Sequence, residues 1–161
     1  MMPARLAATQ EPPDAASFRR EPLIRFSDCD PAGIVFYAEY FVMLNGLVED
    51  WVNEELSIGY HTLVLERRIG LPTVHMEVDF QAVSRLGDRV TLALRVERVG
   101  GRSLTLALHC AGADGNPRMR MHQVLVTTSL DTHRAVDIPA DLRAAIERWT
   151  APARVATLAT C

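Results

Sequence analysis

An α+β fold, with a curved antiparallel sheet wrapped around one long helix, is what this sequence predicts, and three observations predict it. From Tyr37 to Val52 the apolar residues Tyr40, Phe41, Leu44, Leu47, Val48, Trp51 and Val52 recur at three-and-four spacing, with Glu39, Glu49, Asp50, Asn53 and Glu54 on the other side. After them come several segments with β character, the clearest being the alternation from Val90 to Val99. Gly100-Gly101 and Asp114-Gly115-Asn116-Pro117 then read as hairpin turns. Strands that follow strands exclude a doubly wound parallel sheet, which needs a helical crossover after each strand.

In chain order, residues 1–17 carry three prolines and no apolar period, the composition of a flexible tail. Phe18–Ser27 reads as a short strand entering the polar loop Asp28-Cys29-Asp30-Pro31-Ala32-Gly33. The long helix follows from Tyr37. Its interior Gly46 should cost about 1 kcal/mol relative to Ala, which predicts that either another element, a sheet by preference, or a ligand comes close to the helix backbone. Asn45, four residues after Phe41 and three before Val48, is expected within the apolar stripe. Strands are predicted over His61–Glu66, Thr73–Val83, Arg89–Val99, Arg102–Cys110 and Arg118–Leu130, and a final helix from Asp137, its cap, to Trp149. One domain is expected over 18–149, with a second tail over 150–161.

The 161 residues, 48% apolar and 23% charged, suit one globular domain. A formal charge of −3 offers no basic field for nucleic acid. Cys29, Cys110 and Cys161 are odd in number and lack CxxC spacing, so neither a disulfide framework nor a zinc site is indicated, and a reducing cytoplasm is the simpler setting. The five histidines show no metal-ligand spacing. No apolar run reaches the roughly 18 residues of a membrane helix, and the first residues lack the apolar segment that a signal peptide carries before its cleavage site.

The loop carries the chemistry. Asp28 and Asp30 beside Pro and Gly are either turn and cap residues or the carboxylates of a reaction centre. The helix N-terminus that follows offers free N–H groups to a developing oxyanion. The string FSDCDPAGIVFYAEYF closely resembles the signature loop and helix start of the 4-hydroxybenzoyl-coenzyme A thioesterase group of the hot-dog superfamily, and the likeness extends from about Phe18 to Leu142.

That resemblance implies a hot-dog acyl-CoA thioesterase in which Asp30 is the catalytic carboxylate, as nucleophile or as general base, and the Tyr37 N–H polarises the thioester carbonyl. Asp28 is then structural and Cys29 a packed residue, with a cysteine nucleophile as the competing idea. Gly33 borders the substrate. Asn45 stands where the 4-hydroxybenzoyl enzymes place an Asp against the phenol; as an uncharged amide it leaves benzoyl, 4-hydroxybenzoyl and short or medium acyl groups all open. Arg102, Ser103 and Arg134 match the coenzyme A contacts, where Arg suits phosphate, while Arg67, Arg68, Arg118 and Arg120 read as solvated strand ends. His75 either lines the pocket or is a paired interior histidine. Coenzyme A enters only as part of the substrate, with no metal or redox cofactor, and a homodimer or a homotetramer of paired dimers is implied. A non-catalytic acyl-CoA sensor and a hot-dog hydratase or dehydratase are the alternatives.

Overall fold

The computed structural model describes residues 16–151; the expected tails at 1–15 and 152–161 lie outside the described residues. The elements are β1 (Phe18–Arg20), α1 (Tyr37–Asp50), β2 (Ile69–Gly70), β3 (Thr73–Phe80), β4 (Val90–Val99), β5 (Ser103–Gly112), β6 (Pro117–Val126), β7 (Thr128–Ser129) and α2 (Ala140–Thr150). Five strands form one antiparallel sheet in the order β1-β4-β5-β6-β3, and β2 pairs with β7 beside it. Register shifts at Thr73/His75, Val96/Arg98 and Cys110/Ala111 interrupt three of the ladders. Bulges of this kind bend strands and add twist, which suits a sheet that must wrap a helix.

Burial alternates along β5 and along β6 from Arg118 onward. Leu104, Leu106, Leu108, Met119, Met121 and Leu125 are buried on the concave face, in one core with Tyr40, Leu44, Leu47, Val48, Trp51 and Val52 of the helix segment. The apolar positions Tyr40, Leu44, Leu47, Val48, Trp51 and Val52 of the helix stripe are buried as the sequence predicts, and α1 runs on through a π-helical turn at Trp51–Glu55. Trp149 of α2 meets the Trp51 ring edge-on at 5.3 Å, closing the far end of this core.

Several expectations are corrected. His61–Glu66 is not a strand but a helical turn over Thr62–Glu66, entered through Gly59 at φ +78° and anchored by Leu63, which is fully buried. A short apolar run does not distinguish helix from strand. Of Phe18–Ser27 only Phe18–Arg20 pairs as strand; Pro22 follows, and Phe26–Asp28 forms a 3-10 turn. The last helix starts at Ala140, after Pro139 with an extended ψ of 140°; Asp137 is not its cap and accepts from Arg102 Nε at 2.8 Å. Gly46 has nothing within 4 Å of the position a Cβ would take, so close packing within the chain is not why it is glycine. Nor are Arg67 and Arg118 solvated ends: Arg67 makes a two-pronged bond to Asp141 at 2.7 and 2.9 Å, and Arg118 is largely buried beside Asp114.

Candidate active site

The loop before α1 is a narrow hairpin. Asp30 N donates to Ile34 O at 3.0 Å, Cys29 bridges Val35, and Phe36 N donates to Asp28 O at 2.9 Å, so residues 28–30 lie antiparallel to 34–36. Pro31-Ala32-Gly33 closes the tip. There Gly33 N donates to Asp30 O at 2.9 Å and Gly33 takes φ +73°, a conformation that side chains resist. Residues after β3 clamp the hairpin from behind: Val35 N donates to Ser84 O and Leu86 N to Gly33 O. Beneath them Tyr40 and Ser84 share a buried hydroxyl bond of 2.9 Å.

The two acids differ in their bonding. Asp28 closes the 3-10 turn, accepting from Arg25 N at 2.7 Å. Asp30 is half-buried and accepts from Ala32 N at 2.8 Å through Oδ1, which fixes the carboxylate by one of its two oxygens. The hairpin ends where α1 begins. Phe36 precedes the first helical residue and offers no side-chain cap, so the N–H of Tyr37, which has no partner a turn earlier in the helix, is open to a ligand oxygen. Between the acids, burial pushes the Cys29 thiol up, and the carboxylates of Asp28, Asp30 and Asp88 push it further in the same direction. A thiol held protonated is a poor nucleophile.

Beside this hairpin stands a group of aromatic rings. Tyr37 meets Phe36 at 4.9 Å, Phe41 at 6.4 Å and Phe80 at 6.4 Å, and Phe41 meets Phe80 at 6.5 Å, all edge to face. Phe41 is also the first wall of an open depression of ≈ 360 Å³ between α1 and the end of the sheet, lined further by Val42, Asn45, Thr73, Met76, Met121 and Gln123. Asn45 is thus exposed on the rim of this depression and not packed in the helix stripe as expected. His75 is likewise not interior. It lies on β3, which is an edge strand, with 62% of its side chain exposed and Glu77 at 3.5 Å.

The expected coenzyme A contacts gather at the other end of the molecule. Arg102 and Ser103 follow the β4–β5 turn; Thr127 N donates to Arg102 O, Val136 N to Thr127 O and Ile138 N to Gly101 O, which draws in the segment carrying Arg134. The Asp30 hairpin instead bridges Arg85, just before β4 begins. Within one chain the two groups are therefore separated by the ten residues of β4, about 30 Å.

Residues 24–146 match the family profile described as the Thioesterase-like superfamily. The chain belongs to that superfamily. Among thioesterase relatives, the 4-hydroxybenzoyl-CoA thioesterase of Pseudomonas sp. (strain CBS-3) is 27% identical over 134 residues, 79% of this chain and 95% of the relative. A 1,4-dihydroxy-2-naphthoyl-CoA hydrolase of Synechocystis sp. is 28% identical over 80 residues, 50% of this chain. The matches span about three fifths of the length of the first such relatives, 57% and 62%. A solved 4-hydroxybenzoyl CoA thioesterase variant in complex with 4-hydroxybenzoyl CoA superposes with a TM-score of 0.74 at 25% identity, over 82% of this chain and 99% of that one. The hot-dog architecture expected from the loop motif is thus the fold of the thioesterase-like chain. No helix among the described residues is long and apolar enough to cross a membrane.

Gln123 went unnoticed in the sequence. Its signal was present: it occupies the inward phase of β6, in step with Met119, Met121 and Leu125.

Proposed function

We propose that this protein is an acyl-CoA thioesterase that hydrolyses an aryl-CoA, such as benzoyl- or 4-hydroxybenzoyl-CoA, or a short to medium acyl-CoA, to the free acid and coenzyme A. The observation that carries the reading is the hairpin that holds a carboxylate at its tip and a helix N-terminus at its foot. The Tyr37 N–H binds the thioester oxygen as it gains charge. Asp30 acts either by taking a proton from water, whose oxygen adds to the acyl carbon, or by attacking that carbon itself to form an anhydride that water then opens. In both routes the C–S bond breaks and the thiolate leaves, to be protonated as free coenzyme A. Gly33, without a side chain, keeps the loop open to the acyl group, and Asn45 contacts its far end.

A second copy completes the site. β3 is an edge strand that exposes Val74, Met76 and Phe80, and an unpaired apolar edge favours pairing with another strand. Two-fold pairing of β3 with its own copy is antiparallel. It sets the Arg102, Ser103 and Arg134 end of one chain beside the Asp30 hairpin of the other, where they meet the nucleotide and pantetheine of coenzyme A. His75 then lies at the seam. This reading makes the protein a cytoplasmic homodimer, or a homotetramer of such dimers.

The test is Asp30→Asn, followed by thiol release from benzoyl-, 4-hydroxybenzoyl- and fatty acyl-CoAs. Turnover should fall by about two to four orders of magnitude with unchanged circular dichroism. Full activity in the variant would remove Asp30 from the mechanism, and tight acyl-CoA binding without thiol release by the parent protein would replace the enzyme with a sensor.

A further inference from the structure

The concave face of β6 is apolar except at one residue. Gln123 is buried there, 6% exposed, between Met121 and Leu125 along the strand and opposite Leu106 of β5 and Met76 of β3. Its Nε2 donates to Thr73 Oγ1 at 2.6 Å, while its Oε1 has no partner. Buried polar atoms are almost always paired, and a leucine in this position would continue the core.

Gln123, Thr73 and Asn45 line the same depression, whose other walls are apolar and none of whose lining groups carries a charge. Phe41 joins it to the ring cluster around Tyr37. We propose that the Gln123–Thr73 pair is a specificity element for the acyl group: it binds a neutral hydroxyl on the ring of an aryl-CoA, the Gln123 side chain turning toward the depression so that Oε1, buried in the unliganded chain, accepts the hydroxyl hydrogen. This rests on the thioesterase reading and narrows its acyl class. Rotating the amide exchanges Oε1 for Nε2 as the free atom. A hydroxyl both donates and accepts, so it satisfies either orientation. An alkyl chain or a bare phenyl ring satisfies neither and leaves the amide half-paired in the complex.

The experiment measures kcat/KM of the full-length protein, Gln123→Met and Thr73→Val on benzoyl-CoA, 3- and 4-hydroxybenzoyl-CoA, 1,4-dihydroxy-2-naphthoyl-CoA and a fatty acyl-CoA. The parent protein should prefer at least one hydroxylated aryl substrate over benzoyl-CoA by about tenfold or more, and Gln123→Met should reduce that ratio by about tenfold. Thr73→Val, an exposed β-branched replacement that keeps the strand, should lower the ratio less and decides the matter if Gln123→Met does not fold. A ratio unchanged in the variants, or an equal loss on every substrate, overturns the proposal and leaves the thioesterase reading standing. So does a parent protein that cleaves fatty acyl-CoAs and no aryl-CoA. No thiol release from any acyl-CoA overturns both.

Discussion

Gly46 sits in the third turn of α1, and replacing it with alanine separates two explanations of why it is there. A Cβ built at this position meets no heavy atom within 4 Å, so Gly46→Ala introduces neither a clash nor a new packing contact within the chain. What remains is the backbone term: glycine is about 0.8–1.0 kcal/mol less favourable than alanine inside a helix. The variant should therefore be more stable by about 1 kcal/mol, and at this domain size the melting midpoint should rise by about 3–4 °C. Urea unfolding followed by far-ultraviolet circular dichroism would show a higher midpoint with an unchanged slope. Thiol release assayed on the same preparation shows whether the clearance serves substrate, since Val42 and Asn45 beside it line the open depression next to α1. A lower or unchanged midpoint would refute the reasoning, because it would mean that something outside the single chain already fills the space above Gly46.

Three further outcomes follow from local chemistry. Cys29→Ala should keep most thioesterase turnover, since burial and the flanking carboxylates hold the thiol protonated; a loss comparable to that of Asp30→Asn would reinstate a cysteine nucleophile. Tyr40→Phe, which removes the buried donor to the Ser84 hydroxyl, should destabilise by about 1 kcal/mol in urea. The Arg67 guanidinium holds the Asp141 carboxyl below the usual carboxylate range, against a smaller opposing effect of burial. A depressed folded-state value stabilises above the unfolded value, about 3.9, and that stability is lost as pH falls through the folded value. Arg67→Ala should thus flatten the loss of stability between about pH 4 and lower pH; equal slopes in the two proteins would contradict it.

The helix stripe and the hairpin order could be read from the sequence because both depend on local spacing: Leu44, Leu47, Val48 and Trp51 are buried as their period requires. Whether a strand is central or at an edge is a property of the whole sheet. That is why His75, expected inside, stands outside, although the strand predicted over Thr73–Val83 forms over Thr73–Phe80. Leu63-Val64-Leu65 fits either period, and Gly59 with its positive φ decided for a helical turn. Asn45 drew notice as a polar residue in a helix, whereas Gln123, an equal irregularity in a strand, was hidden among alternating Met and Arg. The loop of Asp30 was legible through its motif, but the distance between it and Arg102 follows only from the ladder that β4 makes.

That distance bears on inheritance as much as on catalysis. In the dimer proposed above, the Asp30 hairpin before β4 of one chain would meet Arg102 and Arg134, after β4, of the other, so each centre would take one end from each chain. A chain damaged at Asp30 and another damaged at Arg102 and Arg134 would each be inactive alone. Produced together in that dimer they would form hybrids in which one of the two centres draws only on sound ends, so two null alleles should complement each other, while two alleles damaged at the same end should not.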